Sequence, residues 1–124
     1  MARLLVVEDR DSLRRMLERA LAGEGHAVTT AADLPGAERA LAGAEPFDLV
    51  LTDLKLPAGS GLDVLASSRR RRAETPVVVM TAFGSVPAAV EAMKRGATDF
   101  LEKPVDLDLL GVRVDELLAK ASRR

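Results

Sequence analysis

The chain has 124 residues, 48% hydrophobic and 30% charged, the make-up of one folded domain rather than of a disordered segment. Eighteen basic residues nearly cancel nineteen acidic ones, so no basic footprint for nucleic acid is evident. Cysteine is absent and His26 is the only histidine, which excludes disulfides, thiolate chemistry and multi-histidine metal sites.

Hydrophobic periodicity then switches in a regular way along the chain. Leu4-Leu5-Val6-Val7 is an unbroken apolar run, expected of a parallel strand covered on both faces. Leu13, Met16, Leu17, Ala20 and Leu21 recur at helical spacing until Gly23 and Gly25. Residues 27–31 predict a weaker, Thr-containing strand that suits a sheet edge. Asp33 and Pro35 open a second helix, with Ala37, Ala40 and Leu41 inward. Leu49 to Thr52 is a further buried-type strand, and a loop from Pro57 to Gly61 leads into a third helix marked by Leu62, Leu65 and Ala66. Arg69 to Arg72 form the basic end of that helix.

Val77 to Met80 is the clearest strand. Ser85 and Pro87 start a fourth helix, stopped by Gly96, in which Val90 and Met93 are expected to be core contacts. Residues 98–101 give a short fifth strand, Pro104 breaks it, and Asp106 caps a last helix lined by Leu107, Leu110, Val114, Leu117 and Leu118. Strict alternation of five strands and five helices predicts an α/β fold, a doubly wound (βα)5 three-layer sandwich. Five strands cannot close the usual eight-stranded barrel, so the expected sheet is open and parallel, in the flavodoxin-like order 2-1-3-4-5. Residues 1–124 form a single domain in this reading. No apolar run approaches the ~20 residues of a membrane helix and no signal peptide precedes Ala2, so a cytoplasmic, membrane-free location is expected.

In such a sheet, ligands bind beyond the carboxyl ends of the strands. Strand 1 delivers Glu8 and Asp9 there, strand 3 Asp53, strand 4 Thr81 and strand 5 Lys103. Three carboxylates against one ammonium call for a cation or for uptake of protons, and oxygen-only ligands select a hard cation such as Mg²⁺. A carboxylate beside a divalent ion, a hydroxyl and a lysine has the parts to accept a phosphoryl group, with the carboxylate as nucleophile. Each residue singly is most often an ordinary surface charge; five at one edge are harder to dismiss.

These residues resemble the receiver domain of two-component response regulators over essentially the whole chain. The resemblance is carried by Val7-Glu8-Asp9, Thr52-Asp53-Leu54-Lys55-Leu56-Pro57, Met80-Thr81-Ala82 and Glu102-Lys103-Pro104. The stretch from Thr81 through Gly96-Ala97 to Asp99-Phe100-Leu101 is similar to receivers of the NtrC type, which control an ATPase that activates transcription. The resemblance implies that Asp53 is the phosphoacceptor, served by a sensor histidine kinase. It implies Mg²⁺, with Mn²⁺ able to substitute, held by Asp9 directly, Glu8 through water, Asp53 and the backbone carbonyl of Lys55. Lys103 would pair with Asp53 and then with the phosphoryl group, and Thr81 would donate its hydroxyl to it. Phe100 takes the switch-aromatic position, where many relatives carry Tyr, and the Lys103–Pro104 bond is expected to be cis. Ala82 leaves room for the phosphoryl group, while Lys55 and Phe83 stand where side chains modulate water access. A long Lys55 implies slow self-dephosphorylation. The output face would be the fourth helix, fifth strand and fifth helix. It would act on an output domain or protein partner, with room for a phosphorylation-dependent homodimer and no direct nucleic-acid contact. The chain is either a stand-alone receiver or the N-terminal part of a longer regulator.

Competing readings are weaker. A haloacid-dehalogenase-like phosphatase wants a second Asp two residues after the nucleophile, where Lys55 stands. A phosphorylation-independent binding module would be expected to lose the acceptor or the lysine, and a flavin domain lacks aromatics to stack on the ring. Neither Gly23-Glu24-Gly25 nor Gly59-Ser60-Gly61 completes a dinucleotide loop, since Val28 and Val64 stand at the third glycine. His26 reads as structural, Gly61 as the residue that lets its loop turn tightly, and the arginine run as a solvated helix end.

Overall fold

The computed structural model describes residues 2–82 and 85–122. Its elements are β1 (Arg3–Val7), α1 (Asp11–Gly23), β2 (Ala27–Ala31), α2 (Leu34–Leu41), β3 (Leu49–Asp53), β4 (Lys55–Leu56), β5 (Gly59–Ser60), α3 (Gly61–Arg71), β6 (Val77–Thr81), α4 (Val86–Lys94), β7 (Asp99–Glu102) and α5 (Leu107–Ser122). The main sheet has five parallel strands in the order β2-β1-β3-β6-β7, which is the expected 2-1-3-4-5 once the short β4–β5 ribbon is set aside.

The apolar runs are unbroken because each central strand feeds two cores. Leu5, Val7, Val50 and Val79 point to one face, where Ala37 of α2, Val64 and Leu65 of α3 and Ala92 of α4 meet them. Leu4, Val6, Leu51, Val78 and Met80 point to the other, against Leu17 and Leu21 of α1 and Leu110 and Val114 of α5. Period-two side chains on a doubly covered strand must all be apolar. Truncating any one of these leucines to alanine costs about 2–5 kcal/mol at such sites.

Local signals set the helix starts. Asp33 caps α2 by accepting from Gly36 N–H at 2.7 Å, and Asp106 accepts from Asp108 and Leu109 N–H at 3.0 and 3.1 Å. Ser60 and Asp63 form a capping box on α3, in which Ser60 Oγ accepts from Leu62 N–H and Asp63 accepts from Ser60 N–H. The Lys103–Pro104 bond is cis, as the resemblance implied.

Four expectations are corrected. The loop after β3 is a small antiparallel ribbon, β4 on β5, whose positive φ falls at Ala58 (φ 64) rather than at a glycine. In α4 the inward residues are Ala89 and Ala92, whereas Val90 and Met93 are 47% and 40% exposed. The helix sits close to the sheet on its small side chains, and the larger residues, one position out of phase, turn to the surface. Met16 of α1 and Ala66 of α3 are likewise outward. The arginine run, finally, is not simply solvated. Arg69 donates to the carbonyls of Ala73, Thr75 and Gly96, and Arg72 donates to that of Phe47 at 3.2 Å. These contacts tie the end of α3 to the neighbouring loops.

Candidate functional site

Parallel register brings the chemistry to one edge. Val7 pairs with Thr52, Asp53 with Met80 and Thr81 with Glu102, so the residues at and just beyond these pairs leave the sheet together. Lys103 N–H donates to Thr81 O at 2.8 Å and carries the β6–β7 ladder one step further. Glu8, Asp9 and Asp53 each present a carboxylate oxygen within 4.8 Å of the other two.

The partners of these acids are specific. Glu8 is fully buried; Oε2 accepts from Arg10 N–H at 2.9 Å and Oε1 from Lys103 Nζ at 2.8 Å. Asp53, also buried, accepts from Lys55 N–H at 3.1 Å through Oδ1 and from Lys103 Nζ at 2.6 Å through Oδ2. Burial pushes the Glu8 carboxyl above its ordinary value of 4.5, and its hydrogen bonds to Lys103 and Arg10 offset this only in part. Burial pulls Lys103 the other way, but the hydrogen bonds to Asp53 and Glu8 outweigh it and hold the ammonium above its ordinary 10.5. Lysine is therefore the internal counter-cation of the acid cluster.

Thr81 is buried, and its Oγ1 has no hydrogen-bond partner among the described residues. A buried hydroxyl left unpaired costs about 1–3 kcal/mol, an expense that points to a visiting acceptor. A cavity of about 560 Å³ is lined by Asp9, Asp53, Lys55, Thr81, Ala82 and Lys103 among others. The acid cluster at its edge offers three carboxylates, Glu8, Asp9 and Asp53, with no His or Cys, a set that fits a small hard dication and misfits zinc or copper.

The structure thus brings together Glu8, Asp9, Asp53, Thr81 and Lys103, with Lys55 present through its backbone amide while its side chain is exposed. Phe100 lies apart, on β7 beside Val79, lining a separate groove with Leu109 and Arg113. Phe83 falls outside the described residues. His26 is remote from the acids: Nδ1 accepts from Ala2 N–H at 3.3 Å and Nε2 stands 3.7 Å from Asp115.

Sequence reasoning misses two supports and gives a third, Gly61, a turn role in place of its actual one. Gly61 is required by close approach, since a Cβ there would stand 2.3 Å from the carbonyl oxygen of Asp53. The capping box that seats α3 was legible as Ser60-x-x-Asp63. Arg14 folds back onto the Glu8–Asp9 turn, and its only sequence signal was an arginine in the first turn after an acid pair.

A doubly wound sheet of this order, with clustered acids and a lysine at its carboxyl edge, has the architecture expected of a receiver. The chain belongs to the response regulator receiver domain family, which it matches over residues 4–115. It is 45% identical over 119 residues to the response regulator protein PilR of Pseudomonas aeruginosa, covering 96% of this chain and 26% of that protein. It is 43% identical over 103 residues to the DNA-binding transcriptional regulator NtrC of Escherichia coli, covering 83% and 22%. A response regulator receiver domain protein from Clostridium thermocellum has a TM-score of 0.91 at 28% identity over 98% of both chains. NtrX from Brucella abortus, also at 0.91, is 33% identical over 98% of this chain and 28% of that one. These relatives set the chain close to NtrC-type regulators, of whose length it spans only a fraction.

Proposed function

We propose that residues 1–124 act as one receiver domain in which Asp53 takes a phosphoryl group from the phosphohistidine of a sensor kinase. The observation that carries this is the buried Asp53 carboxylate, bonded to Lys103 at 2.6 Å in a cavity it shares with the Thr81 hydroxyl, which has no partner among the described residues. An ionised carboxylate needs no general base to attack phosphorus. The P–N bond of the donor breaks as the Asp53 Oδ–P bond forms, and the proton count at Asp53 does not change.

Glu8, Asp9 and Asp53, with the Lys55 carbonyl, would hold Mg²⁺. When bound, the ion supplies charge neutralisation on the equatorial oxygens of the transferring group. Lys103 hydrogen-bonds the acceptor before transfer and a phosphoryl oxygen after it. Thr81 then donates to another, and Ala82 leaves space beside it. The same arrangement supports hydrolysis of the aspartyl phosphate by water, so the domain would catalyse its own phosphorylation and dephosphorylation, with Lys55 restricting water entry.

Moving from mostly off to mostly on takes ~5.5 kcal/mol of differential binding, within reach of a dianion gaining lysine and hydroxyl contacts. Pulling Thr81 inward would let Phe100 follow and alter the α4–β7–α5 face, where Val86, Val90, Met93 and Val112 lie exposed. In a longer regulator that face would act on an output domain controlling transcription, through a homodimer or a partner, in the cytoplasm. Among the described residues no helix is long and apolar enough to cross a membrane.

The test is incubation with acetyl phosphate and Mg²⁺, followed by intact mass. One phosphoryl adduct is expected, absent from Asp53→Ala and without added Mg²⁺. An adduct persisting in Asp53→Ala would sink the assignment.

A further inference from the structure

Arg14 stands in the first turn of α1 and its guanidinium folds back over the acid turn. Nη1 donates to Glu8 O at 3.0 Å and to Asp9 O at 3.4 Å, while Nη2 donates to Asp11 Oδ1 at 2.6 Å. The side chain is only 19% exposed. The N-cap of α1 is Arg10, whose side chain makes no capping hydrogen bond, so the helix start lacks the usual anchor. Besides the Glu8 Oε2–Arg10 N–H bond, what ties residues 8–11 to the helix is the rigid, planar fork of Arg14.

We propose that Arg14 is a positioning residue for the cation site: by tying the Glu8 and Asp9 carbonyls to α1, it holds the turn from which the Asp9 carboxylate reaches the ion. This rests on the reading that Glu8, Asp9 and Asp53 hold Mg²⁺. Asp9 is the exposed member of the three, and its orientation depends on the backbone beneath it. Two effects of Arg14 oppose each other. A nearby positive charge repels a dication, whereas a fixed turn lowers the ordering cost of binding. Asp11 pairs with the guanidinium at 2.6 Å and neutralises it locally, so the ordering effect wins. Partners that orient ligands in this way are worth about 10–100-fold in metal affinity.

The experiment is Mn²⁺ titration by electron paramagnetic resonance, supported by Mg²⁺ calorimetry, on the wild-type chain and on Arg14→Met, Arg14→Lys and Asp11→Ala. Arg14→Met is expected to weaken binding about tenfold, at the low end of that range. Arg14→Lys, which keeps the charge and loses the fork, is expected not to restore it. In acetyl phosphate reactions the Mg²⁺ concentration for half-maximal rate should rise by the same factor, while the rate at saturating Mg²⁺ stays near wild type. Unchanged or tighter binding by folded Arg14→Met overturns the proposal, as does wild-type affinity in Arg14→Lys. If circular dichroism shows Arg14→Met unfolded, Asp11→Ala decides: weakened binding supports the proposal, and no change rejects it. A wild-type protein that binds no Mn²⁺, or binds it equally after Asp53→Asn, removes the metal reading itself, which is a separate result.

Discussion

Lys103 and Glu8, 95 positions apart in the chain, meet at 2.8 Å through Nζ and Oε1, and the same ammonium reaches Asp53 at 2.6 Å. Lysine thus occupies the electrostatic role that a bound dication would share. Metal and ammonium compete for the same negative charge, and each must weaken the other's hold.

Lys103→Met is therefore expected to bind Mg²⁺ more tightly, by about tenfold, because a like charge beside the ion has been removed. Its phosphorylation should nonetheless slow by about a hundredfold, since a donor to the transferring group is lost. Calorimetry and a time course of intact mass read the two effects separately. Weaker metal binding in this variant contradicts the competition.

Glu8 titrates against the fold. Its pKa is raised by burial above 4.5, so the folded protein keeps a proton that the unfolded chain has already released. That contribution to stability is present below pH 4.5 and is lost as pH rises through the folded value. Glu8→Gln does not titrate, so its stability relative to wild type should grow as pH increases from 4.5 through that value in metal-free buffer. Urea unfolding across this range measures the difference, and a constant offset contradicts the burial effect.

Among the described residues the buried Thr81 hydroxyl has no partner. Thr81→Val keeps the shape and removes the polar atom, so the unphosphorylated domain should gain about 1 kcal/mol. Thr81→Ala should still accept a phosphoryl group at Asp53 yet lose the change in hydrogen exchange along α4. A full response in that variant rejects the coupling.

Gly61→Ala tests the packing behind Asp53. In an ordinary helix the change stabilises by about 1 kcal/mol. Here the added Cβ would meet Asp53 O at 2.3 Å and Leu54 Cα at 2.9 Å, both of them backbone atoms. A loss of about 1–3 kcal/mol is expected, with slower phosphorylation because the acceptor's own backbone must shift. Thermal melting gives the first and intact mass the second.

The strands were legible because doubly covered β1, β3 and β6 need unbroken apolar runs, and Leu4 to Val7 or Val77 to Met80 have no other stable setting. Helix ends were legible wherever a cap or a glycine marked them, as at Asp33, Asp106 and Gly96. The face of α4 was not. Val90 and Met93 are the larger apolar residues, but how closely a helix approaches its sheet is a tertiary quantity, and there the alanines fit inward. The arginine run was misread for a related reason, because Gly96, reached by Arg69, and Phe47, reached by Arg72, lie in segments distant in the chain.

Composition, periodicity and the residues at four strand ends determined by themselves that this chain is a doubly wound α/β domain with an acidic edge, since those properties depend only on local pattern and on chain direction. Only the tertiary structure decided that one lysine serves two acids, that the Thr81 hydroxyl has no partner among the described residues and that Arg14 braces the acid turn. Each of these is a distance between groups from separate segments, and such distances exist only after packing has set the register of the sheet and the seat of every helix upon it.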